Sequence, residues 1–211
     1  LEGGEVYFDI VTVTGTENPI MAAVVAGGTP LLRNAACEPE VVALADVLNR
    51  MGADIAGAGT PEITIRGVEA LAPVTATIIP DRIETGTFMV AAALTGGHVT
   101  ITDCEPKHVG ATIDKLREAG AEIAVSGSTI TVTGRDKITS VDIKTQPYPG
   151  FPTDMQAQFM VLMSVADGLS VISETIFENR FMHVSELRRM GADIQVSGHI
   201  ATIKGMPHLS G

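Results

Sequence analysis

Two cysteines in 211 residues are too few for a disulfide scaffold. Cys37 and Cys104 each open a Cys-Glu-Pro triplet at corresponding points of an internal repeat, which predicts symmetry-related free thiols rather than bonded partners. Basic residues are scarce as well. The 14 Lys and Arg face 25 Asp and Glu, a formal charge of −11, and this argues against nucleic acid, because phosphate binding needs a basic stripe. The same balance sits awkwardly with any anionic small ligand. No stretch approaches the run of about eighteen uninterrupted apolar residues that would predict a membrane span. The start Leu1-Glu2-Gly3-Gly4-Glu5 reads as neither a signal peptide nor a transit peptide, so a cytoplasmic chain with no membrane partner is expected. His98, His108, His183, His199 and His208 lack paired ligand spacing. Neither Gly-x-x-x-x-Gly-Lys nor Gly-x-Ser-x-Gly occurs, and neither a metal nor an organic cofactor is expected.

What is present is a repeat. Leu48-Asn49-Arg50-Met51-Gly52-Ala53-Asp54-Ile55 returns as Leu116-Arg117-Glu118-Ala119-Gly120-Ala121-Glu122-Ile123 and as Leu187-Arg188-Arg189-Met190-Gly191-Ala192-Asp193-Ile194. A period of roughly seventy residues is too long for a simple solenoid, so each copy is a fold unit with several elements. Val41, Leu44, Ala45 and Leu48, then Val109, Ile113 and Leu116, then Val184, Leu187 and Met190 follow helical spacing. Gly52, Gly120 and Gly191 stand where a left-handed cap would end each helix. A short strand, a turn at Gly57 to Gly59, Gly127-Ser128 or Gly198, and a second β-rich run predict a hairpin. Upstream, Ile20 to Val25, Phe88 to Leu94 and Phe159 to Val165 read as nearly buried helices, each followed by another strand. The unit is strand, helix, strand, helix, strand, strand, an α/β arrangement with interior helices.

Four polar clusters interrupt this scaffold. Phe151-Pro152-Thr153-Asp154-Met155-Gln156-Ala157-Gln158-Phe159 places Asp154 at the start of a buried helix, either as an N-cap or as an acid or base aimed by a proline-fixed loop. Glu174-Thr175-Ile176-Phe177-Glu178-Asn179-Arg180-Phe181-Met182-His183 replaces the Cys-Glu-Pro of the other copies. Its aromatics and arginine either pack on the core or hold a charged, ring-bearing ligand. Pro80-Asp81-Arg82-Ile83-Glu84-Thr85-Gly86-Thr87 reads as ordinary helix capping. Val11-Thr12-Val13-Thr14-Gly15-Thr16-Glu17-Asn18 would suit an anionic or amide-bearing ligand, though such loops are common.

In this order, and together with Asn34-Ala35-Ala36-Cys37-Glu38-Pro39-Glu40, these stretches resemble the UDP-N-acetylglucosamine enolpyruvyl transferase family along essentially the whole chain. The resemblance implies an inside-out α/β barrel of repeated βαβαββ units, with two domains of three units and the active site in the cleft between them. Three of the six units are present: residues 1–80 as the last unit of one domain and residues 81–211 as the first two of the other. The implied reaction moves the enolpyruvyl group of phosphoenolpyruvate onto the 3-hydroxyl of UDP-N-acetylglucosamine, releasing phosphate, as the first committed step of peptidoglycan synthesis. By the same resemblance Asp154 matches the aspartate that contacts that hydroxyl and is proposed as its base. Ile176, beside Phe177, matches a substrate-contacting backbone position, while Arg180 and Asp81 match charged residues of the cleft. Ile10, Val11, Thr12 and Val13 match the loop holding the uridine diphosphate.

The chain departs from the family in three ways. Some members carry lysine at Ile10, so only backbone contacts carry over there, and arginine at Cys37, which leaves that cysteine no inherited role. The reactive cysteine and several phosphoenolpyruvate-gripping basic residues of the family have no counterpart, consistent with the acidic charge. The isolated polypeptide is expected to be inactive, and apolar faces left uncovered by absent units predict self-association. The alternatives are the shikimate-pathway enolpyruvyl transferase and a non-catalytic ligand-binding fragment.

Overall fold

The computed structural model describes residues 3–211; Leu1 and Glu2, the first residues of the stretch read as no leader, lie outside the described residues. Residues up to Ile79 form one compact unit and Pro80–Gly211 another. The first unit runs β1 (Glu5–Tyr7), α1 (Val13–Ala23), β2 (Leu31–Arg33), α2 (Pro39–Arg50), β3 (Asp54–Ala56) and β4 (Glu62–Arg66). Its sheet has the order β1-β2-β4-β3, with β1 parallel to β2 and the other pairs antiparallel. Ile20, Leu32, Val41, Ile63 and Ile65 make its core.

The second unit holds two copies. One comprises α3 (Arg82–Leu94), β5 (His98–Ile101), a 3-10 turn at Pro106–Val109, α4 (Gly110–Glu118), β6 (Glu122–Ser126) and β7 (Thr129–Thr133). The other comprises β8 (Ile143–Lys144), a 3-10 turn at Thr153–Met155, α5 (Gln156–Met163), β9 (Leu169–Ser173), α6 (Val184–Arg189), β10 (Asp193–Ser197) and β11 (Ile200–Lys204). The order β8-β9-β11-β10 reproduces that of the first unit, parallel pair included. The middle copy has three strands, β5-β7-β6, and the leading strand expected ahead of α3 does not form. That stretch is bonded instead to the end of α2: the Ala72 amide donates to Met51 O at 2.7 Å and the Arg50 guanidinium donates to Thr75 O.

The repeated octapeptide has a physical basis. In each copy the amide after the capping glycine donates to the carbonyl of the repeat's leucine, Ala53 to Leu48, Ala121 to Leu116 and Ala192 to Leu187, all at 3.0 Å. The glycine amides bond to Asn49, Arg117 and Arg188, and Gly52, Gly120 and Gly191 have φ of 104°, 101° and 94°. This is the Schellman termination that positive φ makes favourable for glycine. The residue after the leucine also reaches across the turn: the side chains of Asn49, Arg117 and Arg188 donate to Ile55 O, Ile123 O and Ile194 O at 2.9, 3.0 and 2.9 Å. Leu48, Leu116 and Leu187 are buried as their spacing predicts, whereas Met190, taken as closing the third stripe, is the C-cap of α6 and 41 % exposed.

The apolar helices are not equally interior. Phe159, Met160, Leu162 and Met163 of α5 are fully buried, but Met21 in α1, Val25 just after it and Phe88 in α3 face outward. Burial therefore follows the neighbours each helix has, and α3 and α5 pack on one another inside the second unit. Among the described residues no helix is long and apolar enough to cross a membrane.

Candidate active site

The third copy departs from the others at the end of its second strand. In the first two copies the residue there is small and buried: the Ala35 amide donates to Pro61 O and the Cys104 amide to Ser128 O. In the third the same bond, to His199 O, is made by Glu174, whose side chain is buried with 1 % exposure. This ladder makes Ala35, not Cys37, the counterpart of Cys104, so the two triplets do not place their thiols at equivalent points. Both cysteines are free, and burial pushes both thiols above their ordinary range.

A buried carboxylate requires donors, and Glu174 has five. Its Oε1 accepts from the Thr145 hydroxyl at 2.8 Å and from the amides of Ile176 and Phe177 at 2.9 and 3.2 Å. Its Oε2 accepts from the Thr153 hydroxyl at 2.8 Å and from Gln156 Nε2 at 3.2 Å. Burial acts to raise its pKa, but the bonds from Ile176, Thr153, Thr145 and Phe177 outweigh it and hold the carboxyl below the ordinary range. Thr175 ties the same segments, its amide donating to Thr145 Oγ1 at 2.8 Å. The 145–156 segment is thereby fixed against residues 174–177.

On that platform stand Asp154 and Arg180. Asp154 lies in the 3-10 turn before α5, and the N-cap reading fails: its carboxylate accepts from Arg180 Nη2, and the helix start has no side-chain cap. Arg180 also donates through Nη1 to Thr153 Oγ1 at 3.0 Å, and its guanidinium lies 5.0 Å from the Phe177 ring centroid. The Asp154 side chain is 50 % exposed and Phe177 is 52 % exposed, so the pair opens to solvent over a buried base. Phe181 packs against the core instead. His183 Nε2 lies 3.2 Å from Met160 Sδ, and burial, then the charge of Arg180, hold its imidazole below the ordinary range.

Asp154, Ile176, Phe177 and Arg180 are therefore brought together. Asp81 is not bonded to them; it caps α3, accepting from the amides of Ile83 and Glu84 at 2.7 and 3.0 Å. Ile10, Val11, Thr12 and Val13 belong to the first unit. Thr12 caps α1 by accepting from the Gly15 amide at 3.3 Å, Val11 and Val13 pack on the core, and Ile10 is 77 % exposed. Glu174 was present in the sequence cluster without a role, although its signal was there as the residue at which the third copy breaks symmetry. Among the described residues no group of three His, Cys, Asp or Glu could hold a metal. A cavity of about 470 Å³ between α4 and β8 includes none of these residues. Its Lys115 is paired with Glu118, and its Asp142 accepts from the Val171 amide.

The chain matches known proteins over its whole length. It is 68% identical over 211 residues to the UDP-N-acetylglucosamine 1-carboxyvinyltransferase of Desulfosudis oleivorans and 59% identical over 211 residues to that of Geobacter metallireducens, covering 100% of the chain and 51% of each relative. It thus spans about half the length of the curated relatives it matches. Among solved structures it is similar to the enolpyruvyl transferase NikO from Streptomyces tendae, with a TM-score of 0.78 and 29% identity over 88% of the chain and 44% of that structure. An EPSP synthase from Acinetobacter baumannii shares the fold alone, at TM-score 0.50 and 18% identity over 100% of the chain and 49% of that structure. The family model of EPSP synthase (3-phosphoshikimate 1-carboxyvinyltransferase) matches residues 1–211, and the chain belongs to that family.

Proposed function

We propose that this chain is part of an enzyme that transfers the enolpyruvyl group of phosphoenolpyruvate to the 3-hydroxyl of UDP-N-acetylglucosamine, in the cytoplasm, for peptidoglycan synthesis. Residues 1–80 would be the last unit of one domain and 81–211 the first two units of the other. The observation that carries the reading is the half-exposed Asp154 carboxylate paired with Arg180 in the copy whose second strand ends in the buried Glu174. The names of relatives up to 68% identical favour the nucleotide sugar over shikimate phosphate as acceptor.

Asp154 would take the proton of the 3-hydroxyl as its oxygen bonds to the enol carbon of phosphoenolpyruvate. The double bond opens as the neighbouring methylene carbon takes up a proton from solvent; that carbon then gives a proton back as the bond from the enol carbon to the phosphate oxygen breaks, so the double bond re-forms and phosphate leaves with the electron pair of the broken bond. Arg180 would hold Asp154 in place, and the backbone at Ile176 and the ring of Phe177 would border the sugar. Thr12 and its neighbours Ile10, Val11 and Val13 would hold the uridine diphosphate through backbone groups, and Asp81 would serve as a charged residue near the substrates. No metal or organic cofactor enters this scheme.

The test is phosphate release from phosphoenolpyruvate with UDP-N-acetylglucosamine as acceptor. It is run with the 211-residue chain and with a hybrid in which the chain replaces the matching half of the Desulfosudis oleivorans relative. Turnover by the hybrid with this acceptor and not with shikimate 3-phosphate is expected, and no turnover would sink the reading. Exposed Ile10, Val25, Phe88 and Leu169 also support self-association of the isolated chain. Light scattering should then give a mass above 22.0 kDa, and a monodisperse monomer would contradict it.

A further inference from the structure

Asp154 is not positioned by Arg180 alone. Thr153 has one hydroxyl hydrogen, and it is spent on Glu174 Oε2, which leaves the oxygen's lone pairs to accept from Arg180 Nη1. The other nitrogen of that guanidinium bonds Asp154. A single chain of donors therefore leads from a buried carboxylate to a half-exposed one. We propose that Glu174 is the positioning residue for Asp154, setting its place through Thr153 and Arg180 while it fixes the Ile176 and Phe177 amides. The assignment rests on the enolpyruvyl transfer reading for its kinetic consequence and on the hydrogen bonds alone for its geometry.

The scaffold shows that this link is an addition. The helical segments of the three copies carry buried Thr16, Thr85 and Gln156 at the fourth position. In the first copy Thr16 Oγ1 accepts from the Ala36 amide at 3.0 Å, a neutral tie between helix and strand end. In the third copy the tie is a carboxylate that reaches from the strand end to the helix and collects both loops on the way. An isosteric amide cannot replace it. With its oxygen toward Thr145, Ile176 and Phe177, the amide nitrogen of Glu174→Gln would face Gln156 Nε2 and force the Thr153 hydrogen toward Arg180. The buried Gln156 Oε1, which has no partner among the described residues, can turn toward that nitrogen, but at Thr153 the hydroxyl hydrogen and Arg180 Nη1 would then oppose one another as two donors.

The test uses Glu174→Gln, Thr153→Val and Thr153→Ser in the hybrid. Misplacing a reacting group by about an ångström costs up to about a hundredfold in rate, so Glu174→Gln and Thr153→Val should lower kcat by about thirtyfold or more, with KM for the nucleotide sugar changed less than about threefold. Thr153→Ser, which keeps the hydroxyl, should stay within about threefold of the unaltered hybrid in kcat. A Glu174→Gln hybrid that folds and keeps its kcat overturns the proposal, as does a Thr153→Val hybrid no slower than Thr153→Ser. If Glu174→Gln does not fold, the Thr153 pair decides. If the unaltered hybrid releases no phosphate, the functional reading has failed, and the geometry is judged in the 211-residue chain by NMR. There Thr153→Val should shift the Arg180 guanidinium resonances and Thr153→Ser should not; unmoved resonances in Thr153→Val overturn the positioning claim.

Discussion

Asp154 is a carboxylate that could have capped a helix and instead pairs with a guanidinium 26 positions later in the chain. That choice sets what its substitution does. Asp154→Asn keeps an oxygen to accept from Arg180 but cannot take a proton. Loss of a general base costs about 10² to 10⁴ in rate, so kcat of the hybrid should fall by at least about a hundredfold. Calorimetric affinity for UDP-N-acetylglucosamine should change less than about threefold, because one hydrogen-bonding contact is retained. Retained turnover would remove Asp154 from the base role. The pair was half legible in the sequence: Asp154, Phe177 and Arg180 stand where the third copy diverges from the other two. Glu174 stands there too, but its meaning depends on Thr145 and Thr153, 29 and 21 positions away, arriving beneath it. No local pattern encodes that arrival.

At the scale of elements the repeat is a set of terminations. Helix stripe, Schellman glycine and hairpin could be read from the octapeptide because each is a local rule with a fixed spacing. The missing strand before α3 could not, since strand formation needs a partner and the sequence around Val74 to Ile79 is apolar enough for one. A second set of glycines, Gly67, Gly134 and Gly205, was also missed, because their requirement is one of close approach rather than periodicity. Each amide bonds back to a glycine, Gly28, Gly97 or Gly168, as the chain crosses the C-terminal end of the first helix of its copy, α1, α3 or α5. A Cβ on Gly205 would lie 1.5 Å from Ala166 O, and one on Gly67 would lie 1.5 Å from Ala26 O. Backbone cannot yield as a side chain does, so Gly205→Ala should destabilise the second unit by about 3 kcal/mol or more, at or beyond the upper end of ordinary overpacking. Gly110→Ala, at a helical position where a Cβ meets nothing within 4 Å, is the control. Urea unfolding followed at β11 would measure both, and equal midpoints would refute the account.

Over the whole molecule the acidic balance acts differently on its two units. Glu174 and His183 both have folded-state pKa values below their ordinary ones, so each contributes stability above the unfolded value that is lost as pH falls through the folded one. For His183 the loss begins below its ordinary value of 6.5, because protonation is easier in the unfolded chain than beside Arg180 in a half-buried site. For Glu174 it begins below 4.5, as five donors that served a carboxylate come to face a carboxylic acid. Glu17 in the first unit has the opposite sign. Burial first, then the charges of Glu40 and Glu38, raise its pKa, so the folded state takes up a proton more readily than the unfolded one and gains from mild acid. Acidification from neutral pH toward pH 5 should therefore weaken the second unit while easing this repulsion in the first. Hydrogen exchange at β4 and β11, taken in urea at pH 7.5 and pH 5 and corrected for intrinsic exchange, separates the two responses. His183→Gln should flatten the loss at β11 over that interval, since it removes the histidine whose pKa folding lowers. A β11 decline as steep in His183→Gln as in the unaltered chain would show that the acid sensitivity arises elsewhere in the second unit.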